Sequence, residues 1–243
     1  MQLELGILTV GSLYWCENRN RVKWRRSRLR LDKEYCVKVP IRYGRRSQCR
    51  GNTYTMVFSQ LCLHKSHGLG TAKAIGCKRT VLSIDELITE AEFLWAAERF
   101  CCKRDGKLST AWGCVALLPN PNGKIPRKML KNWKERVSKE SKYGRLCHSK
   151  SETSIVNHAG ILQIPWPNTV HGDSLSFDLL LATATNPTLK GNPLVYPRIR
   201  QIARAWKQDT EENEKYFRQN QKHDICTYQD ELIVQHMQSR GPI

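Results

Sequence analysis

Between Arg19 and Arg50 the chain carries thirteen Lys and Arg against only Asp32 and Glu34. The stretch at 21–30, RVKWRRSRLR, interleaves Trp24 with Arg21, Lys23, Arg25, Arg26, Arg28 and Arg30, and Arg42, Arg45, Arg46 and Arg50 follow it. Guanidinium groups make bidentate contacts to phosphates and an exposed indole stacks a base, so this composition fits a nucleic-acid contact through the phosphate backbone. The competing reading is a solvated loop around a buried Trp24, with arginines that serve solubility.

Three other groupings bear on chemistry. Cys62, His64, His67 and Cys77 are four residues of types that bind zinc, but no Cys-x-x-Cys pair occurs in the chain and the spacing matches none of the usual structural zinc patterns. A polar hairpin loop with inward-facing cysteines is the expectation there, with no metal and no cofactor. Asp85, Glu86, Glu90, Glu92 and Glu98 surround an apolar stripe on one predicted helix, where a pair such as Glu86 and Glu90 can run acid/base or metal chemistry. Acidic residues near a helix start are equally what the helix dipole favours, so Glu90 and Glu92 are expected to be solvated. Asp173 and Asp178 lack the Glu-x-Lys of a restriction-type nuclease, and Ser12, Cys114 and His158 lack a Gly-x-Ser-x-Gly elbow.

The last grouping is a turn. An apolar strand runs into Gly11-Ser12-Leu13, where backbone amides at a strand end can cradle an anion such as a carboxylate. Here Val10-Gly11-Ser12-Leu13 resembles the Tyr-Gly-Ser-Leu loop of the gamma-glutamylcyclotransferase-like family, with Val10 in place of the tyrosine. The resemblance covers at most the first 80 or so residues. It implies a small β-barrel with flanking helices, a loop at Gly11, Ser12 and Leu13 that grips an amino-acid-like substrate, and a glutamate acting as acid and base. No residue is assigned to that glutamate, because Glu90 and Glu92 fall in a helix.

The elements that must position these groups follow from pattern. Residues 3–10, 35–42, 53–58 and 71–77 read as strands, with Pro40 marking an edge or a bulge. Ser83 with Glu86 forms a capping box that opens a helix with Ile84, Leu87, Ile88, Ala91 and Trp95 on one face. A strand over 112–118, a helix opened by Pro126, a basic surface loop over 138–154, strands near 160–164 and 177–184, and a helix opened by Pro197 follow. One or two short helices complete the tail. The expected fold is α+β, a curled antiparallel or barrel-like sheet with helices packed against it. It forms one domain over 1–243, with a possible C-terminal helical subdomain at 186–243.

A chain of 243 residues with 40 Lys and Arg against 22 Asp and Glu has a formal charge of +18, which makes an anionic partner the first expectation. Its apolar content, 40% of residues, excludes a disordered polycation. Glu4 stands where a signal peptide needs a cation, no apolar stretch is long enough for a membrane span, and the ten cysteines are read as reduced thiols in the cytoplasm. The leading expectation is a cytoplasmic nucleic-acid-associated protein, DNA or RNA, within a larger assembly. A cyclotransferase-like enzyme and an adaptor that meets an acidic protein are the alternatives.

Overall fold

The apolar run near the start of the chain becomes a central strand. β1 (Leu5–Thr9) is buried at all five positions, as a strand covered on both faces must be. In the computed structural model, which describes residues 1–47, 53–64, 68–99, 107–140, 143, 155–189, 192–193, 195–208 and 210–238, β1 lies between two partners. β5 (Gly70–Cys77) pairs with it antiparallel, and β7 (Leu179–Thr185) pairs with it parallel. With β2 (Leu29–Val39) and β6 (Gly113–Pro119) at the edges, the five strands run in the order β2-β5-β1-β7-β6.

The remaining strands form a second sheet in the order β4-β3-β8-β9, from β3 (Ile41–Ser47), β4 (Thr53–Phe58), β8 (Thr188–Leu189) and β9 (Asn192–Pro193). The fold is therefore α+β, but the expected single curled antiparallel sheet is corrected to two sheets. The larger one is mixed and does not close into a barrel. Pro40 explains the division. It has no N–H to give a ladder and stands between β2 and β3, so the chain leaves one sheet there and enters the other.

Helices cover both sheets. α3 (Ile84–Glu98) starts at Ser83, whose hydroxyl accepts from the Glu86 amide at 3.2 Å while the Glu86 carboxylate accepts from the Ser83 amide at 3.3 Å. Leu87, Ala91, Leu94 and Trp95 turn inward and are fully buried. α2 (Arg19–Arg28) and α4 (Arg127–Ser138) both pack against α3, and α4 buries Met129, Trp133 and Val137. The expected strand near 160–164 is reduced to isolated bridges, Ile161 to Leu117 and Leu162 to Val156. Apart from its first residues and Tyr143, the loop expected at 138–154 lies outside the described residues. No described helix is long and apolar enough to cross a membrane.

At the C-terminus, α5 (Ile199–Gln208) and α6 (Thr210–Lys222) pack against β4 of the second sheet, α7 (Asp230–Gln238) packs against α5, and their buried side chains join the same apolar cluster as the rest of the core. Trp206 meets Tyr43 edge-on at 5.0 Å. Asp230 sits in the first turn of α7, where the helix dipole favours a negative charge by about 0.3–1 kcal/mol. Burial outweighs that, holding the carboxyl up at about 6 against an ordinary 3.8, although the Thr227 amide and hydroxyl both donate to Oδ1. Oδ2 has no partner.

A carboxyl whose folded value is raised contributes stability that is complete below the unfolded value and lost as pH rises through the folded one. Two pH units correspond to about 3 kcal/mol, so stability should fall by up to about that much between pH 4 and 6. Asp230→Asn keeps the Oδ1 acceptor for Thr227 and cannot ionise. Its melting temperature should exceed that of the wild type at pH 7.5, and the difference should shrink below pH 4. A difference that is the same at both pH values would place the titration elsewhere.

Candidate functional site

β1 delivers the chain to Gly11, whose φ of 64° and ψ of −143° belong to glycine. A side chain there would also overlap the Tyr216 hydroxyl of α6. The turn leads into α1 (Ser12–Trp15), so the Gly11 to Leu13 segment lies at the C-terminal end of β1, beside the C-terminal end of its parallel neighbour β7. In open sheets with parallel strands, ligands collect at such ends. Ser12 and Leu13 are nearly enclosed, at 7% and 2% exposure.

What encloses them is the arginine-rich segment. It is not a loop but the helix α2, started by Asn18, whose side chain accepts from the Asn20 amide at 3.0 Å. Arg21, Trp24, Arg25 and Arg28 recur at 3.6-residue spacing on its inner face. Trp24 is 5% exposed, which removes it as a stacking platform. Arg21 is 1% exposed, with its Nη1 donating to Ser12 Oγ at 3.0 Å, its Nε to the Ala97 carbonyl at 3.2 Å and its Nη2 to Glu98 Oε2 at 2.9 Å. Arg25 donates to the carbonyls of Leu13 and Cys16, both at 2.9 Å, and so fixes the two ends of α1.

Arg28 forks onto the Glu90 carboxylate and lies 4.4 Å from the Phe93 ring centre. Glu90 is 5% exposed, so the expectation that it is solvated is corrected: it is half of a buried pair joining α2 to α3. Glu92 is half-exposed and faces Lys107 at 3.6 Å. Arg30 and Lys33 both reach Glu4 and hold its carboxyl below the usual range, through the Lys33 hydrogen bond first.

The other basic candidates scatter. Arg42 is buried over the Tyr196 ring at 4.6 Å, and Arg45 stacks over Trp112 at 4.4 Å. Arg46 is half-buried, and Arg50 lies outside the described residues. Lys23 and Arg26 are exposed on the outer face of α2, with Arg19. The structure thus separates the residues that composition grouped together.

The cysteine and histidine grouping also divides. Burial pushes the Cys62 thiol up to about 11 and the Cys77 thiol higher still, the latter with help from Glu90. His64 is exposed, and His67 lies outside the described residues. Among the described residues no three His, Cys, Asp or Glu side chains come together to hold an ion.

The residue that sequence reasoning did not single out is Glu98. It was one carboxylate among five on α3. In the structure it is the one joined to Ser12, through Arg21. Its side chain is 20% exposed, and its Oε1 has no partner among the described residues. Position at the C-terminal end of α3 was the only local signal.

Comparison with protein-family models, with curated proteins and with solved structures finds no match for the chain.

Proposed function

We propose that the chain is a small-molecule enzyme of cyclotransferase type, acting on an amino-acid-derived amide at the Gly11 to Leu13 turn with Glu98 as its proton-transfer group. The observation that carries this reading is the bridge from Ser12 through Arg21 to Glu98. It holds a carboxylate, one of whose oxygens has no partner among the described residues, beside a turn at the C-terminal end of β1, next to a parallel strand. Arg21 fixes the direction of Glu98 and leaves Oε1 to meet a proton.

In the reaction, a free amine of the substrate attacks its own side-chain carbonyl. A new C–N bond closes a ring as the old amide C–N bond breaks. Glu98 takes the proton from the attacking amine and returns it to the departing one, so the residue ends as it began and nothing is oxidised or reduced. The test is incubation with a panel of γ-glutamyl amino acids and γ-glutamyl amines, followed by mass spectrometry for the cyclised acid and the free amine in equal amounts. Turnover of no member would overturn the reading.

A second reading keeps a nucleic-acid contact on α2, supported by Arg19, Lys23 and Arg26, which line a shallow outward groove with Glu17, Val22 and Ser27. An adaptor that meets an acidic protein draws on the same three cations.

A further inference from the structure

The enzyme reading leaves the charge of +18 unexplained, and α2 spends three of its six cations, Arg21, Arg25 and Arg28, internally. Beyond Arg19, Lys23 and Arg26, a larger group of exposed cations lies on α4 and the residues flanking it. Lys124, Arg127, Lys128, Lys131, Lys134, Arg136 and Lys139 are all exposed. Two have partners, Lys131 with Glu135 at 3.9 Å and Arg136 with Asp85 on α3. The other five have no ion pair or hydrogen bond among the described residues. At 3.6 residues per turn, Arg127, Lys131 and Lys134 form a stripe about 10 Å long on the side turned away from Met129, Trp133 and Val137.

We propose that the outer face of α4 is a docking surface for the phosphate backbone of a double-stranded nucleic acid, independent of the Gly11 to Leu13 site. About 10 Å of duplex axis presents roughly six phosphate charges, about half of which Arg127, Lys131 and Lys134 match, while Lys124, Lys128 and Lys139 extend the positive face beyond the stripe. The composition of the face selects this partner over other anions. An acidic protein would be met by a patch with aromatic or apolar anchors at its centre, and lysine is depleted from such centres. This face has none, because the apolar side chains of α4 are buried in the core. A helix that lies on a membrane inserts its apolar stripe between lipids, and here that stripe is already covered. The face is built of Lys and Arg, which suit contact with phosphates, and contact of that kind carries no sequence information.

The experiment is fluorescence anisotropy of a labelled 20-base-pair DNA duplex, titrated with the full chain from 50 to 300 mM salt. Two triple variants carry the same change in net charge: Lys124→Glu, Lys128→Glu and Lys134→Glu on α4 and just before it, and Arg19→Glu, Lys23→Glu and Arg26→Glu on α2. The wild type should bind with log K falling against log salt at a slope near −4, as expected for four to five phosphate contacts at about −0.9 each. The α4 variant should lose at least ten times more affinity than the α2 variant and flatten the slope to about −2 or less.

Equal losses would make binding a matter of net charge and overturn the site. A larger loss in the α2 variant would move the contact to α2, and no wild-type binding at 50 mM salt would end the proposal. Equal affinity for poly-glutamate, with the same salt slope, would overturn the choice of nucleic acid. If circular dichroism shows the α4 reversal to be unfolded, the three Lys→Gln changes replace it, with a threefold or greater loss expected and no loss overturning the site.

Discussion

Glu98→Gln is expected to lower turnover of whichever γ-glutamyl substrate the wild type accepts by about 10²–10⁴-fold, the range usual for removing a positioned acid/base group. The substitution suits the question because glutamine keeps an oxygen to accept from Arg21 Nη2, where the carboxylate now receives a 2.9 Å bond. Arg21 therefore stays in place, and with it Ser12. The amide cannot take a proton from an attacking amine. Substrate affinity should change little, so the loss should fall on kcat rather than KM. Glu90→Gln is the control, because Glu90 is committed to Arg28 and lies about two turns of α3 away from Glu98. Unchanged kcat in Glu98→Gln would remove Glu98 from the chemistry, even if the turn still binds substrate.

The parts of the fold legible in sequence are those whose determinants are local. The capping box at Ser83 and Glu86 lies within four residues, and the apolar stripe behind it repeats at one period, so α3 follows directly. β1 reads as a strand because every position is apolar or small and Gly11 ends it. The parallel pairing of β1 with β7 joins Leu5 to Leu179, and no local pattern carries that information. α2 was illegible for a different reason. Its inner face is lined by Arg21, Arg25 and Arg28 around Trp24, so a search for an apolar stripe finds none and the charges look solvated. The stripe exists, but it is complementary to Glu98 and Glu90 on α3, which lie 77 and 62 residues further along.

The same argument divides the site. The Gly11 to Leu13 turn is visible in sequence because glycine at a strand end marks a backbone that only glycine adopts freely, and the structure gives Gly11 a φ of 64°. Its partner Glu98 depends on the packing of two helices against each other and becomes identifiable only when Arg21 connects them. Composition correctly marked an arginine cluster as unusual. It could not tell whether those guanidinium groups meet phosphates or carboxylates, since both make the same forked hydrogen bonds.

Arg21 is consequently the residue on which turn, helix packing and site converge, and Arg21→Ala should cost roughly 3–5 kcal/mol of folding stability, as expected when one partner of a buried pair is removed. Three acceptors lose their donor at once: the Ser12 hydroxyl, the Ala97 carbonyl and the Glu98 carboxylate. Glu98 is 20% exposed and recovers some solvation, which favours the lower end of the range, while the cavity left by a side chain that is 1% exposed pushes the other way. Arg21→Lys should recover only part of the loss, because one ammonium on a flexible stem cannot span three acceptors that a planar guanidinium reaches together. Urea denaturation monitored through tryptophan fluorescence measures this as a shift in midpoint at constant slope. A cost below about 1 kcal/mol for Arg21→Ala would mean that water replaces the guanidinium without penalty. In that case the bridge from Ser12 to Glu98 would not be the element that holds the turn against α3.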